Sequence, residues 1–134
     1  MRKRLFWVLC SVFGLIIGAV LYGLYRQDTH VGKFVGNIFG ISLPVDNGFS
    51  VCAAYYLPDY LWMFSMACAL FAVRLPNGKQ TICLCCLAIL VGVAWELMQM
   101  WGVISGTADI HDVILYSMAV ITAAIISTLK KRRK

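Results

Sequence analysis

Glu96 and Gln99 stand three residues apart inside an apolar run from about Thr81 to Val103. Asp109 and Asp112 repeat that spacing shortly afterwards, and Asp59 follows Pro58 at the head of another apolar run. Residues three or four apart share one face of a helix, so each pair points one way. Asp59 continues along its own helix face through Trp62 and Ser65 or Met66. An ionisable side chain within an apolar span belongs in the bundle interior or a wet cavity, not against lipid. Glu96 is therefore expected to point inward, with Gln99 beside it and Asp112 opposite. Three chemistries fit such a set. Glu96 could exchange a proton as general acid or base, with Asp112 or Asp59 as partner. The acids could attract a cation. They could also hydrogen-bond between helices and do no chemistry. The candidate site is Asp59, Trp62, Ser65, Glu96, Gln99, Asp109 and Asp112. Asp59 and Asp109 also suit plain helix caps. His111 falls off the Asp109/Asp112 face and reads as interfacial.

Positioning these residues requires a membrane. The chain has 134 residues, 61% hydrophobic and 13% charged, against roughly 25% charged in soluble domains. A globule of this size cannot hide so much apolar surface from water. The pattern predicts an all-α integral membrane bundle of four transmembrane helices, over about residues 5–25, 58–75, 81–103 and 109–129. An outer loop spans 26–57, and residues 1–134 form one membrane domain. The first span is long enough to cross and is expected to be an uncleaved helix, not a signal peptide. The second just reaches across, with Pro58 in its first turn and Arg74 at its far end. Pro76-Asn77-Gly78-Lys79 signals a turn, and Ser105-Gly106-Thr107 a tight connection.

Charge sets the orientation. With both termini inside, ten of the twelve basic residues lie on the cytoplasmic side, and only Arg26 and Lys33 lie outside. The positive-inside rule thus predicts an N-in/C-in protein of a cytoplasmic membrane. Asp59, Glu96, Asp109 and Asp112 then share the outer half, with Glu96 about 10 Å below the outer end of its helix at 1.5 Å per residue. The basic ends suit an anionic inner leaflet, so membrane lipids are expected partners and nucleic acid is not.

Other features are blander. Cys83-Leu84-Cys85-Cys86 lacks zinc-site spacing, and no metal or cofactor is expected. Cys10 and Cys68 act as small hydrophobes, Cys52 faces outside, and no intramolecular disulfide is expected. In the outer loop, Phe34, Val35, Ile38 and Phe39 have the spacing of a short interfacial helix. Asn47-Gly48 looks like a turn, and Phe49 to Leu57 packs on the bundle or dips into the membrane edge. Gly14 and Gly18 form a GxxxG pair that a homo-oligomer could use, and Ala119, Ala123 and Ser127 form a second small-residue face.

Leu57-Pro58-Asp59-Tyr60-Leu61-Trp62, Glu96-x-x-Gln99 and Gly106-Thr107-x-Asp109-x-x-Asp112 together resemble the VanZ-like family of small bacterial membrane proteins. The chain looks like a divergent member, and the match runs from Leu57 to the end of the fourth helix. The resemblance implies a bacterial cytoplasmic membrane, a place in the cell envelope and an association with resistance to the glycopeptide teicoplanin. The leading expectation is an envelope protein whose outward acidic pocket binds a lipid-linked or cationic ligand, such as a lipid-linked envelope precursor or a lipoglycopeptide. The alternatives are an intramembrane enzyme acting on an envelope lipid or lipid-linked sugar, and a transporter subunit.

Overall fold

The computed structural model describes residues 2–26, 30–41, 43–104 and 107–132. Regular structure among them is helical throughout: α1 (Arg2–Tyr25), α2 (His30–Phe39), α3 (Gly48–Val73), α4 (Lys79–Met100) and α5 (Ile110–Arg132). The long helices α1, α3, α4 and α5 are apolar enough to cross a membrane. Met1, Arg133 and Lys134 of the basic ends, and Ser105 and Gly106 of the expected connection, lie outside the described residues.

The second span is not short. Its helix begins at Gly48, ten residues before the expected start, and runs for 26 residues. Asn47-Gly48 is a helix start, not a free turn. The Asn47 side chain accepts the Ser50 N–H at 2.9 Å, and Ser50 Oγ accepts the Asn47 N–H at 3.0 Å. This reciprocal cap satisfies two of the otherwise orphaned N–H groups. Pro58 then falls inside the helix, where it lacks a donor and its ring meets the carbonyl one turn back. The chain relieves this with a widened turn over Cys52–Tyr56, in which the Leu57 N–H reaches the Cys52 carbonyl five residues back. Such single π turns let a helix continue past a local conflict.

Glycine and proline set the other helix ends. Leu75 precedes Pro76, a position that disfavours helix, and Arg74 is already extended at the end of α3. Gln80 and Thr81 donate to the Asn77 and Gly78 carbonyls, each at 3.0 Å, to start α4. That helix stops at Met100, not Val103. Gly102 adopts φ +68°, and the N–H groups of Gly102 and Val103 return to the carbonyls of Gln99 and Met98. This left-handed glycine stop satisfies carbonyls that would otherwise lack donors.

The core gathers around α3, which packs against α1, α4 and α5. Met63, Ala67, Cys68 and Phe71 of α3 meet Trp7, Ala88, Tyr116, Ala119, Val120 and Ala123. Trp7 stands edge-on to Phe71 with ring centroids 5.1 Å apart. The Gly14/Gly18 seam is occupied within the chain. A Cβ on Gly18 would lie 2.7 Å from Trp62, and one on Gly14 would collide with Ser65. These glycines bring α1 onto α3, so a homo-oligomer does not have this face free. In the segment after α1, α2 forms where the apolar spacing predicts it. Val35 packs on Gly23, and Phe34 and Ile38 stay exposed. The Leu43 N–H then bonds the Leu24 carbonyl at 3.0 Å, tying this segment to the end of α1.

Candidate functional site: a polar cavity away from the chain termini

Helical spacing brings the polar residues to one place. On α3, Asp59, Trp62, Met63 and Met66 follow one face; on α4, Gly92, Glu96 and Gln99 do; on α5, Asp112 and Tyr116 do. Tyr22 and Arg26 add the end of α1. With Val91, Trp95 and Thr107 they line a cavity of about 400 Å³ between the four long helices. A Cβ on Gly92 would lie 2.6 Å from Met63 and 2.7 Å from Tyr116, so the absent side chain lets three helices meet at its wall.

Glu96 is the anchor of the site. It is 6% exposed. The Tyr116 hydroxyl donates to Glu96 Oε1 at 2.8 Å, and the Asp109 backbone N–H donates to Oε2 at 3.1 Å. Both oxygens are thereby tied to the start of α5. Because α4 ends at Met100, Glu96 sits about 6 Å from its helix end at 1.5 Å per residue, shallower than the sequence suggested.

Asp109 behaves as a cap. Its Oδ1 accepts the His111 backbone N–H at 2.9 Å and lies 2.7 Å from His111 Nδ1. These donors hold its carboxyl below the usual carboxylate range, the backbone N–H first. Asp109 does not line the cavity; it reaches the site through its N–H alone. His111 is exposed beside it, as expected of an interfacial residue.

Asp59 and Asp112 do reach the cavity. Both are half-buried, and neither carboxyl accepts a hydrogen bond from a described residue. Asp59 is not a cap, because α3 starts about 16 Å before it along the axis. Opposite the acids, the Arg26 guanidinium lies 5.0 Å from the Tyr22 ring centroid and 5.2 Å from that of Tyr55. Three acids and one arginine leave the lining formally at −2. Tyr22 also packs on Trp62, with centroids 5.6 Å apart. Among the described residues, no group of three or more His, Cys, Asp or Glu could hold a metal ion.

Of the seven residues expected at the site, Asp59, Trp62, Glu96, Gln99 and Asp112 line the cavity. Ser65 does not. It is buried against Gly14, and its hydroxyl donates to the Leu61 carbonyl at 2.6 Å. Three residues counted on from Trp62 lead round to the α1 side of the helix, whereas four lead to Met66 in the cavity. Sequence reasoning missed Tyr22, Arg26, Tyr116 and Gly92. Tyr116 stands four residues after Asp112 and Gly92 four before Glu96, so extending those two faces by one turn would have found them, whereas Tyr22 and Arg26 stand at the end of a helix with no expected site residue.

Fold and site together define a small multi-pass helical membrane protein with an acidic, aromatic-walled cavity at one end of its bundle. Comparison with protein-family models, curated proteins and solved structures finds no match to this chain.

Proposed function

We propose that this protein is a divergent VanZ-like component of the bacterial cytoplasmic membrane. It lies N-in/C-in, and its outward cavity takes the cationic or polar end of a lipid-linked envelope compound or lipoglycopeptide. One observation carries the reading. Asp59 and Asp112 reach one cavity, with no hydrogen bond from a described residue, beside Tyr22, Trp62 and Trp95. Carboxylates with spare acceptor capacity suit an ammonium group. Aromatic faces suit both a cation and the apolar stem that follows it. The residues that carry the VanZ-like resemblance, Asp59, Glu96, Gln99 and Asp112, are among those lining the space. An outward site also suits teicoplanin, whose acyl chain holds it at the outer membrane surface.

The enzyme reading asks Glu96 to exchange protons, yet both its oxygens already receive donors. The transporter reading asks for a path, yet the cavity acids gather at one end. Titration of the protein in lipid nanodiscs with teicoplanin tests the proposal, read from Trp62 and Trp95 fluorescence. Saturable quenching is expected, weakened at least tenfold in Asp59→Asn/Asp112→Asn. Equal binding by that variant would remove the cavity as the site. A glycopeptide without an acyl chain should bind more weakly.

A further inference from the structure

The other end of the bundle holds a second cavity, of about 420 Å³, lined by Lys3, Trp7, Leu75, Pro76, Asn77, Gln80, Ser127, Lys130 and Lys131. Every long helix or its adjoining turn contributes. Three lysines share this lining, and no acid does. The six acids of the chain are Asp28, Asp46, Asp59, Glu96, Asp109 and Asp112, none of them near these lysines in sequence. Lysines around one hollow repel one another unless a counter-charge is present. The neutral members are donors as well: the Asn77 and Gln80 amides and the Ser127 hydroxyl. Leu75, Pro76 and Trp7, the last 2% exposed, supply the apolar part of the lining. Lys130 Nζ lies 3.0 Å from the Phe6 ring centroid, which holds one ammonium at the apolar edge.

We infer that this cavity is a binding site for a phosphate-bearing anionic group, the headgroup of an acidic phospholipid. Basic hollows between the ends of membrane helices match that chemistry. The lysines meet the phosphate, the amides and hydroxyl meet glycerol or phosphate oxygens, and the acyl chains run along the exposed apolar faces of the helices. A ligand seated there joins four helix ends and stabilises the bundle by mass action. The inference does not rest on the function proposed for the opposite cavity, because none of its residues is shared.

The test uses the full chain, purified in a neutral detergent and offered phosphatidylglycerol, phosphatidylcholine or glycerol 1-phosphate. Retained ligand is read by native mass spectrometry, and thermal unfolding is followed in parallel. Phosphatidylglycerol is expected to be retained at least tenfold over phosphatidylcholine and to raise the unfolding temperature. Lys3→Gln/Lys131→Gln changes two exposed side chains and should lose that preference. Arg74→Gln/Lys79→Gln removes the same charge from the same end but outside the lining, and should keep it. Equal loss in both variants would mean surface charge alone and overturn the site. Retention of glycerol 1-phosphate without the lipid would overturn the lipid assignment. Should the first pair unfold, Gln80→Leu removes one neutral donor without altering charge, and unchanged lipid retention there would also count against the site.

Discussion

Replacing Tyr116 by Phe removes one hydroxyl and with it the 2.8 Å bond to Glu96 Oε1. The ring stays, so packing against Gly92 and Met63 is kept. Glu96 is left with the Asp109 N–H alone. Interhelical hydrogen bonds in membrane proteins contribute about 0.6 kcal/mol on average and about 1.7 at most, because the unfolded chain in lipid finds other partners. Hydrogen bonds to charged groups in soluble proteins reach roughly 1.5–3 kcal/mol. This bond is short, buried and made to a carboxyl group, which favours the top of the membrane range. A loss of about 1.5 kcal/mol, or roughly tenfold in the folding equilibrium, is expected. Reversible unfolding in mixed micelles, followed by helical signal, measures it. Glu96→Leu removes both acceptors and leaves the Tyr116 hydroxyl and the Asp109 N–H without this partner, so it should cost at least as much. The double variant should cost little more than Glu96→Leu alone, since Tyr116→Phe then acts on a bond already lost. If Tyr116→Phe changes stability by less than about 0.3 kcal/mol, or if the two losses simply add, Glu96 does not tie α4 to α5 as described.

Other consequences are testable in turn. Gly102→Ala forces a Cβ into the left-handed region at the end of α4 and should destabilise by about 1–2 kcal/mol; an unchanged unfolding midpoint would contradict the glycine stop. Asp109 titrates below its usual 3.8 in the folded chain. Its contribution is therefore present above that value and lost as pH falls through the lower folded one. The stability gap to Asp109→Asn should stay flat at neutral pH and close in the acid range, and a gap that widens on acidification would reverse the sign. A fluorescent protein fused after Lys134 should glow and a phosphatase fused there should be inactive; an active phosphatase would place the C-terminus outside.

The four spans were legible because long uncharged runs have few other uses. The start of α3 was not. Pro58-Asp59 carries the usual marks of a helix N-terminus, and only the widened turn before it lets the helix extend upstream. The true start, Asn47 with Ser50, resembles a loop because the same side chains serve turns and caps. The end of α4 was misplaced because Trp101, Val103 and Ile104 continue the apolar run, while the stop depends on the backbone angle of Gly102. At the site, Glu96, Gln99, Asp112, Asp59 and Trp62 were readable as polar or aromatic residues at helical spacing. Arg26 was not, because it follows a helix that carried no expected site residue and heads the polar stretch Gln27-Asp28-Thr29-His30, so it reads as loop. Ser65 and Met66 illustrate the limit of face-counting: one residue is a rotation of about 100°, enough to exchange a cavity for a helix–helix seam.

The turn over Cys52–Tyr56 holds one more residue than an α-helical turn would. It therefore sets the rotational phase between the two halves of α3. Closing that turn to regular α-helical pitch with its residues unchanged in number would swing the upstream half by about 100°. Ser50, Ala53 and Ala54, now buried, would leave their contacts, and Tyr55 would move away from Arg26. The downstream half, with Asp59 and Trp62, would keep its register. The shape of the cavity rim thus depends on the pitch kept by a segment that does not line it.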